Sequence, residues 1–168
     1  MTRAVTAVAA TLLVVVSGCG GGGSGRSART TTTTAPNVAP DEACRLLTPA
    51  DAAKLFGEQP RRVEDSSRVR GAASACLYEA TSTSGQLLQF RIYAGTQYYA
   101  RTVHADARDV SDLGEQAFVS AAGPSGLVDC QFVKSGNVYA FAYSNLTHDP
   151  NAKSDALLSL ARQVAARL

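Results

Sequence analysis

The chain has 168 residues, with 16 lysines and arginines, 14 aspartates and glutamates, and no tryptophan. Three of the basic residues, Arg3, Arg26 and Arg29, precede residue 41. Residues 41–168 therefore carry 13 basic and 14 acidic groups, a net charge of about −1. Surfaces that bind nucleic acid carry an excess of basic side chains, so the composition argues against nucleic acid as a partner.

Residues 1–18 have the pattern of a secretory signal peptide. Arg3 supplies a positive charge, and residues 4–16 form a mainly apolar run that ends in three valines. A membrane-spanning helix needs about 20 consecutive apolar residues, and this run is shorter. Small residues then precede Cys19, as they do at a signal cleavage site. We therefore predict export of the chain.

The stretch Val16-Ser17-Gly18-Cys19 resembles the lipobox of bacterial lipoproteins. The resemblance implies cleavage before Cys19, a diacylglyceryl thioether on its thiol, and anchoring to the outer face of the cell membrane. Two or more acyl chains hold a protein stably on a bilayer, whereas one does not. The alternative is an ordinary signal peptide with an incidental cysteine.

Residues 19–40 are predicted to be a flexible linker after the lipidated cysteine. Four glycines follow Cys19, and Thr30 to Thr34 are consecutive threonines. Such a segment has too little apolar surface to offset the entropy of ordering. As a flexible coil it spans about 25 Å root-mean-square. A plain spacer is the simpler interpretation, and O-linked glycosylation at Thr30 to Thr34 is the alternative.

Residues 41–168 are predicted to form one α+β domain with the order α-βββ-α-βββ-α. The first helix begins with Thr48 as cap and Pro49 at its first position, and it ends at Gly57. The last helix begins at Asp149-Pro150. Its predicted apolar stripe is Ala156, Leu157, Leu160, Ala161, Val164 and Leu168, with Arg162, Gln163 and Arg167 facing away.

About six strands are predicted, joined in a single antiparallel sheet with helices covering one face. Alternating apolar residues place them near 61–64, 73–80, 87–94, 117–121, 127–133 and 138–144. Between the third and fourth strands the apolar period changes. Tyr99, Val103, Ala107 and Val110 recur every three or four residues, which predicts a second amphipathic helix from Thr96 to about Gly114.

Short sequence echoes predict that the domain repeats one unit. Residues 55–59 (Leu-Phe-Gly-Glu-Gln) are echoed by 113–116 (Leu-Gly-Glu-Gln), and Cys76-Leu77-Tyr78 is echoed by Cys130-Gln131-Phe132. Repeats of this kind indicate one supersecondary unit used twice. We therefore expect two similar halves about a pseudo-twofold axis.

Candidate catalytic or metal-binding residues are few. His104 is expected on the exposed side of the second helix, and His148 stands beside Asp149. Neither has a second histidine or a carboxylate cluster at ligand spacing, so no metal and no cofactor are predicted. Asp109 and Asp112 lie three residues apart and are candidates for an acid–base pair. A solvated helix face is the simpler interpretation of both.

Two further segments are interpreted structurally. The arginines at 61, 62, 68 and 70 form either an anion patch or a solvated loop, and the acidic residues at 64 and 65 favour the loop. Gly123-Pro124-Ser125-Gly126 does not match the G-x-S-x-G pattern of a nucleophile elbow and is predicted to be a turn.

Three cysteines remain in the domain, namely Cys44, Cys76 and Cys130. Disulfides form in exported proteins, and three cysteines allow one bridge with one thiol left over. None of the spacings is typical of a zinc or redox site. The residues themselves leave the pairing open.

Three motifs, residues 44–49, 76–78 and 112–118, resemble a group of actinobacterial cell-envelope lipoproteins that has no established activity. The resemblance covers nearly the whole domain, and it supplies no catalytic residue. It implies a Cys44–Cys76 disulfide, which would tie the short first helix to the first confident strand. Cys130 lies outside the motifs and is expected as a buried thiol. The rival pair, Cys76–Cys130, requires two facing strands.

We therefore predict a monomeric, non-catalytic module whose one assigned partner is the membrane, through the lipid on Cys19. The module would bind an envelope protein, a lipid, a glycan or a small molecule. The alternatives are a sensor or accessory subunit of a membrane complex, or a hydrolase that uses Asp109, Asp112 or His104. An apolar pocket between sheet and helices would favour a small ligand, and a flat apolar patch would favour a protein.

Overall fold

The computed structural model describes residues 37–63, 69–82, 85–122, 126–145 and 151–168. The predicted signal peptide, Cys19 and the linker threonines lie outside the described residues, as do Arg68, residues 123–125 and His148 with the Asp149-Pro150 helix start. The described elements are α1 (Glu42–Leu46), α2 (Pro49–Phe56), β1 (Arg61–Arg62), β2 (Ser74–Glu79), β3 (Gln86–Ala94), β4 (Arg108–Asp109), β5 (Gln116–Ala122), β6 (Leu127–Lys134), β7 (Asn137–Asn145) and α3 (Asn151–Ala165).

The strands form a single antiparallel sheet in the order β1-β2-β3-β7-β6-β5-β4. The α+β class and the single sheet are confirmed. The sheet has seven strands where about six were expected, because β4 lies inside the predicted second helix. Two meanders, β1-β2-β3 and β4-β5-β6-β7, meet at the central β3–β7 pair.

The predicted second helix is wrong. Its residues form two single turns of 3₁₀ helix, Thr96–Tyr98 and Arg101–Val103, followed by β4. Val103, which was expected on the buried stripe, is 74% exposed. Threonine, valine and tyrosine have modest helix propensity, so no strong local preference opposes the turns. The α-βββ-α-βββ-α order therefore fails at its central helix.

The predicted first helix is confirmed as α2. The backbone nitrogen of Asp51 donates to the Thr48 hydroxyl over 3.3 Å, and the Asp51 carboxylate accepts from the Thr48 backbone nitrogen over 3.1 Å. This reciprocal capping box satisfies two backbone donors that helix geometry leaves free. Gly57 ends the helix in the left-handed region at φ 81°. The short helix α1, which carries Cys44, was not predicted.

One face of the sheet carries the core, and α1, α2 and α3 pack on it. A row of buried side chains runs across this covered face, because Cys76 lies opposite Phe90, Phe90 opposite Phe141, and Phe141 opposite Cys130. From α3, Leu157, Leu160, Ala161 and Val164 are buried as predicted, whereas Ala156 and Leu168 are exposed.

The opposite face, called the open face here, is crossed by residues 95–107, which run from the end of β3 to β4 at the far edge. Tyr98 stacks on Tyr93 with ring centroids 4.8 Å apart, and Tyr99 meets Phe118 edge-on at 5.6 Å. Further along, the Asp106 carboxylate accepts from the Ser120 hydroxyl over 2.7 Å. Residues 95–107 are called the crossing segment below.

The structure joins Cys44 and Cys76 in a disulfide, with their Cα atoms 4.9 Å apart. The rival Cys76–Cys130 pair is wrong, because β3 and β7 lie between the strands that carry these cysteines. Cys130 is a buried free thiol, and burial raises its pKa to about 12. A thiol so far from ionisation is a poor nucleophile.

Candidate functional site

The crossing segment covers only part of the open face. Beyond it, β3, β7 and β6 present a half-face in which Gln89, Ala142 and Asp129 lie side by side in one row. The next row toward the sheet end holds Leu87, which is 36% exposed, beside the half-buried Ser144. The central strand β7 contributes only small side chains to this area. This strip of small side chains on β7, with longer side chains on β3 and β6 at either side, is called the groove below.

Asp129 lies on β6 at one wall of this groove and is only 7% exposed. Burial disfavours its charged form and raises the pKa of its carboxyl group. Electrostatic interactions with His104 and Arg91 lower the pKa of Asp129, and the interaction with Asp106 raises it further. The effect of burial is the largest of these. Asp129 is thus a buried carboxyl group that the fold does not fully compensate.

Arg91 lies on the other wall, on β3. Its Nη1 donates to the Tyr93 hydroxyl over 3.2 Å, and its Cζ lies 5.9 Å from the centre of the Tyr93 ring. Its Nε atom is buried and has no acceptor among the residues that the structure describes. Buried donors are nearly always paired. This Nε is therefore a buried donor that no described residue compensates.

The crossing segment closes one end of the groove. The backbone nitrogen of Ala100 donates to Gln131 Oε1 over 3.0 Å, which fixes the amide of a side chain that is 8% exposed. The His104 ring packs on Phe118 with centroids 5.1 Å apart. His104 is half-buried on the sheet, so its expected place on the exposed side of a helix is wrong. Arg91, His104, Asp129 and Gln131 are called the polar cluster below.

Asp109 and Asp112, the candidate acid–base pair, are not brought together into one site. Asp109 accepts from Arg101 Nε over 2.7 Å. Asp112 accepts two bonds from the Arg162 guanidinium, over 2.9 and 3.0 Å, and this arginine lowers the pKa of Asp112. Each carboxylate thus has its own arginine. Proton transfer at neutral pH needs a group whose pKa lies near the working pH, which Asp112 does not offer.

A serine, a histidine and an aspartate do occur near one another on the open face. In an activated nucleophile the serine hydroxyl donates to the histidine, and the acid orients that histidine. Here the Ser120 hydroxyl donates directly to Asp106, and Ser120 is buried. Asp106 also accepts from the backbone nitrogen of Ala121 over 2.8 Å. These contacts join Asp106 to β5, and they do not form a catalytic triad.

A cavity of about 570 Å³ lies elsewhere, at the C-terminal end of α3. Its charged groups are already satisfied: Asp112 pairs with Arg162, Lys134 Nζ donates to the Ala165 carbonyl, and Glu115 accepts from the Ser135 backbone nitrogen. It is not the apolar pocket between sheet and helices that would indicate a small ligand. We therefore give it no role in binding.

The described ranges contain neither a metal site nor a membrane-spanning helix. No group of three histidine, cysteine, aspartate or glutamate side chains there is arranged to hold a metal ion. No helix in the same ranges has the length and apolar character needed to span a membrane. No protein-family profile, no curated protein and no solved structure matches the chain.

Sequence reasoning missed Arg91, Asp129 and Gln131. Asp129 and Gln131 alternate with the buried Val128, Cys130 and Phe132 on β6. A charged residue inside a strand that is buried on both faces is the signal that identifies this position. Arg91 alternates in the same way with the buried residues of β3. Only the sheet order shows that these walls flank a strand of small residues.

Proposed function

We propose that the chain is an exported lipoprotein, anchored to the outer face of the cell membrane by lipid on Cys19. Its domain would be a non-catalytic binding module held away from the bilayer by the linker. The motif Val16-Ser17-Gly18-Cys19 supports the anchor, and the resemblance to envelope lipoproteins supports the location. The two short edge strands β1 and β4 favour a monomer, because short edges offer little to a second sheet.

The polar cluster is the observation that carries the binding function. Burying a carboxyl group and leaving a buried guanidinium donor unpaired both cost free energy. Neither side chain belongs to the main hydrophobic cluster, which lies on the covered face. A ligand bound at the groove would supply a partner for the Asp129 carboxyl group. We therefore assign binding to the groove between Arg91 and Asp129.

Native mass spectrometry of the full chain purified from its own membrane tests this function. We expect the wild-type protein to carry a bound small molecule that an Arg91→Ala/Asp129→Asn variant has lost. Arg162→Ala is the matched control, because Arg162 forms an exposed ion pair with Asp112 and belongs to α3, which packs on the opposite face of the sheet. The same bound molecule on wild type and double variant, or none on the wild type, would count against the groove.

The anchor has its own test. Cys19→Ala should leave the precursor uncleaved or release the protein from the membrane fraction. Normal processing with full membrane retention of this variant would show that the cysteine is incidental.

A hydrolase is the second candidate, because His104 lies near Asp129 and Asp106. The contacts of Ser120, Asp109 and Asp112 argue against it. We expect no turnover of esterase, phosphatase, glycosidase or peptidase substrates by the purified chain. Activity that disappears in His104→Ala would favour the enzyme. A sensor or accessory subunit would use the same groove and would differ by co-purifying with a membrane protein.

We also propose that the two halves repeat one unit. Gly57 and Gly114 both have positive φ, 81° and 71°, and each precedes a glutamate. The Glu58 carboxylate accepts from a backbone nitrogen in the turn after β2 over 2.6 Å, and that of Glu115 does so in the turn after β6 over 2.9 Å. The cysteine–aromatic row on the covered face supports the same relation.

A further inference from the structure

We infer that a small cavity beside the crossing segment binds one neutral pyranose ring, either a free hexose or a hexose unit of a glycan. The cavity has a volume of about 270 Å³ and is called the edge cavity below. Its lining comes from the crossing segment, from β4 with the residue after it, and from β5, namely Tyr99, Arg101, Asp109, Val110, Gln116 and Ala117. None of these residues belongs to the groove or to the polar cluster, so the inference goes beyond the proposed function of the groove.

The inner part of the edge cavity is apolar. Ala117 is 4% exposed, and Val110 packs against the hydrophobic core. The half-buried Tyr99 ring meets Phe118 at an interplanar angle of 65°, a contact that holds the ring in place. The negative face of an aromatic ring attracts polarised C–H groups, which a pyranose carries along its ring. The cavity at the C-terminal end of α3 has no such aromatic wall.

Polar groups at the rim of the edge cavity have positions left for a ligand. Arg101 Nε donates to one Asp109 oxygen over 2.7 Å, and its Nη1 donates to the His104 carbonyl over 3.3 Å. Among the described residues, none is bonded to Arg101 Nη2, to the second Asp109 oxygen or to the amide of the exposed Gln116. The Arg101 and Asp109 side chains are 34% and 77% exposed, so a ligand in solution can reach them.

The Tyr99 hydroxyl adds a donor beside this ion pair. Burial raises the pKa of Tyr99, and the Asp109 carboxylate raises it further, whereas Arg101 lowers it. The hydroxyl therefore keeps its proton at neutral pH and can donate a hydrogen bond as well as accept one. The edge cavity thus combines an apolar floor with a few convergent polar groups, which is the usual composition of a small-molecule site.

Charge and size decide between ligand classes. An anion attracted to Arg101 would meet the carboxylate of Asp109, which is already bonded to this arginine, and a cation would meet the reverse problem. A hydroxyl group is both donor and acceptor, so neighbouring hydroxyls can donate to the carboxylate and accept from the guanidinium without breaking the ion pair. Clefts for drug-sized ligands measure about 300–1,000 Å³. The edge cavity is smaller and therefore suits a single ring.

The test is a titration of the full ¹⁵N-labelled chain in detergent micelles, monitored by the amide signals of Tyr99, Asp109 and Gln116. The probes are glucose, galactose, mannose, maltose, cyclohexanol and glucuronate. We expect at least one hexose to shift these signals in a saturable manner. Cyclohexanol keeps the ring but has a single hydroxyl, and glucuronate adds a negative charge, so each should bind roughly tenfold more weakly than the best hexose. Tighter binding of maltose than of glucose would assign a glycan unit, and equal binding a free sugar; both support the pyranose site.

Variants identify the residues that bind the sugar. Tyr99→Phe and Gln116→Ala remove hydrogen-bonding groups and keep the apolar floor, so each should weaken the best hexose by about threefold to tenfold. Thr102→Ala is the matched control, because Thr102 is exposed on the crossing segment and does not line the edge cavity. It should bind as wild type does. Unchanged amide signals elsewhere in each spectrum show that the fold is intact.

Several outcomes would overturn the sugar site. Equal binding of cyclohexanol and hexose would indicate an apolar cavity only, and tighter binding of glucuronate would indicate an anion site. Unchanged affinity in both variants, or no saturable shift with any neutral sugar, would also count against it. Shifts at Gln89 and Asp129 in place of Tyr99 and Gln116 would move the sugar to the groove, which overturns this inference and leaves the proposed function standing. Failure of the proposed function is measured separately, by native mass spectrometry.

Discussion

The two faces of the sheet differ in the side chains that they bury. On the covered face, Phe90 and Phe141 stack with centroids 4.3 Å apart, and Phe132 stacks on Tyr139 at 4.9 Å. On the open face, equally buried positions hold a carboxyl group and an amide. Aromatic burial is the main source of stability in such a core. The covered face therefore holds the main aromatic core, whereas the open face combines buried apolar residues such as Phe118 and Val138 with costly polar groups. The proposed binding site would explain those polar groups.

Two buried carboxylates show the same contrast. The Asp51 side chain is 3% exposed and accepts two bonds from Arg167, over 2.6 and 3.0 Å. Arg167 and the Thr48 cap hold the pKa of Asp51 well below its usual range, although burial alone would raise it. Asp129 is buried to a similar degree without such a partner, and its pKa is raised. Burial sets the cost of the charge, and the partner decides the direction of the shift.

The largest effect on stability is expected from Phe141→Ala on the covered face. Phe141 is fully buried in the central strand, so truncation removes its stacking and leaves a cavity. The loss should be about 3–5 kcal/mol of unfolding free energy, measured by guanidinium denaturation. Gln89→Ala on the open face is the matched control and should change stability by about 0.5 kcal/mol or less. Similar losses at both positions would refute the division between the faces.

Removing the disulfide with Cys44→Ala/Cys76→Ala should have the next largest effect. The bridge links α1 to β2 across a sequence separation of 32 residues. The chain-entropy estimate for a loop of this length is on the order of 3–4 kcal/mol. The measurement is the shift in denaturation midpoint, which reduction of the wild type should reproduce. Cys130→Ala leaves the disulfide intact. Reduction should therefore lower the denaturation midpoint of this variant by as much as it lowers that of wild type.

Arg167→Ala tests the pairing of Asp51 and should cost about 1–3 kcal/mol at pH 7. The expected loss of unfolding free energy is small because the Arg167 side chain is 38% exposed, so water screens its charge. The folded-state pKa of Asp51 is depressed, so its contribution is present above the unfolded carboxyl pKa of about 3.9 and is lost as pH falls below it. The difference between wild type and variant should therefore shrink below about pH 4. A difference independent of pH would contradict this assignment.

Asp129→Asn should have the smallest effect and the opposite sign. The folded-state pKa of Asp129 is raised, so its favourable contribution is present at low pH and is lost as pH rises through the folded-state value. At neutral pH the variant should be as stable as wild type or slightly more stable, and this advantage should vanish below about pH 4. Urea denaturation at several pH values measures it. Marked destabilisation at pH 7 would mean that Asp129 has a structural role.

Local rules predicted the elements whose ends are set by their own residues. Thr48 and Pro49 start α2 and Gly57 ends it, because caps and positive φ depend on neighbouring atoms. The long strands were found by alternation, since a sheet buried on one face requires it. The Cys44–Cys76 pair was implied by resemblance and is confirmed by the disulfide. The anchor at Cys19 remains a prediction.

Local sequence rules did not predict the conformation of the crossing segment. Its spacing of Tyr99 and Val103 fits a helical period, yet only Tyr99 contacts the sheet, and Val103 faces solvent. Arg167 was likewise expected to face away from the core, and it reaches Asp51 at the start of α2. In both cases a residue far away in sequence provides the partner, so a local pattern carries no information about it.

The amino-acid sequence determined the class of the fold, its strands and most helix ends, because these depend on propensity, capping and alternation over a few residues. The tertiary structure decided where the residues of the candidate site lie. Arg91 and Asp129 are 38 positions apart in the chain, and they flank the same strand only because β7 returns between β3 and β6. Strand order arises from packing of the two meanders against each other, and that packing brings a buried donor and a buried carboxyl group to one groove.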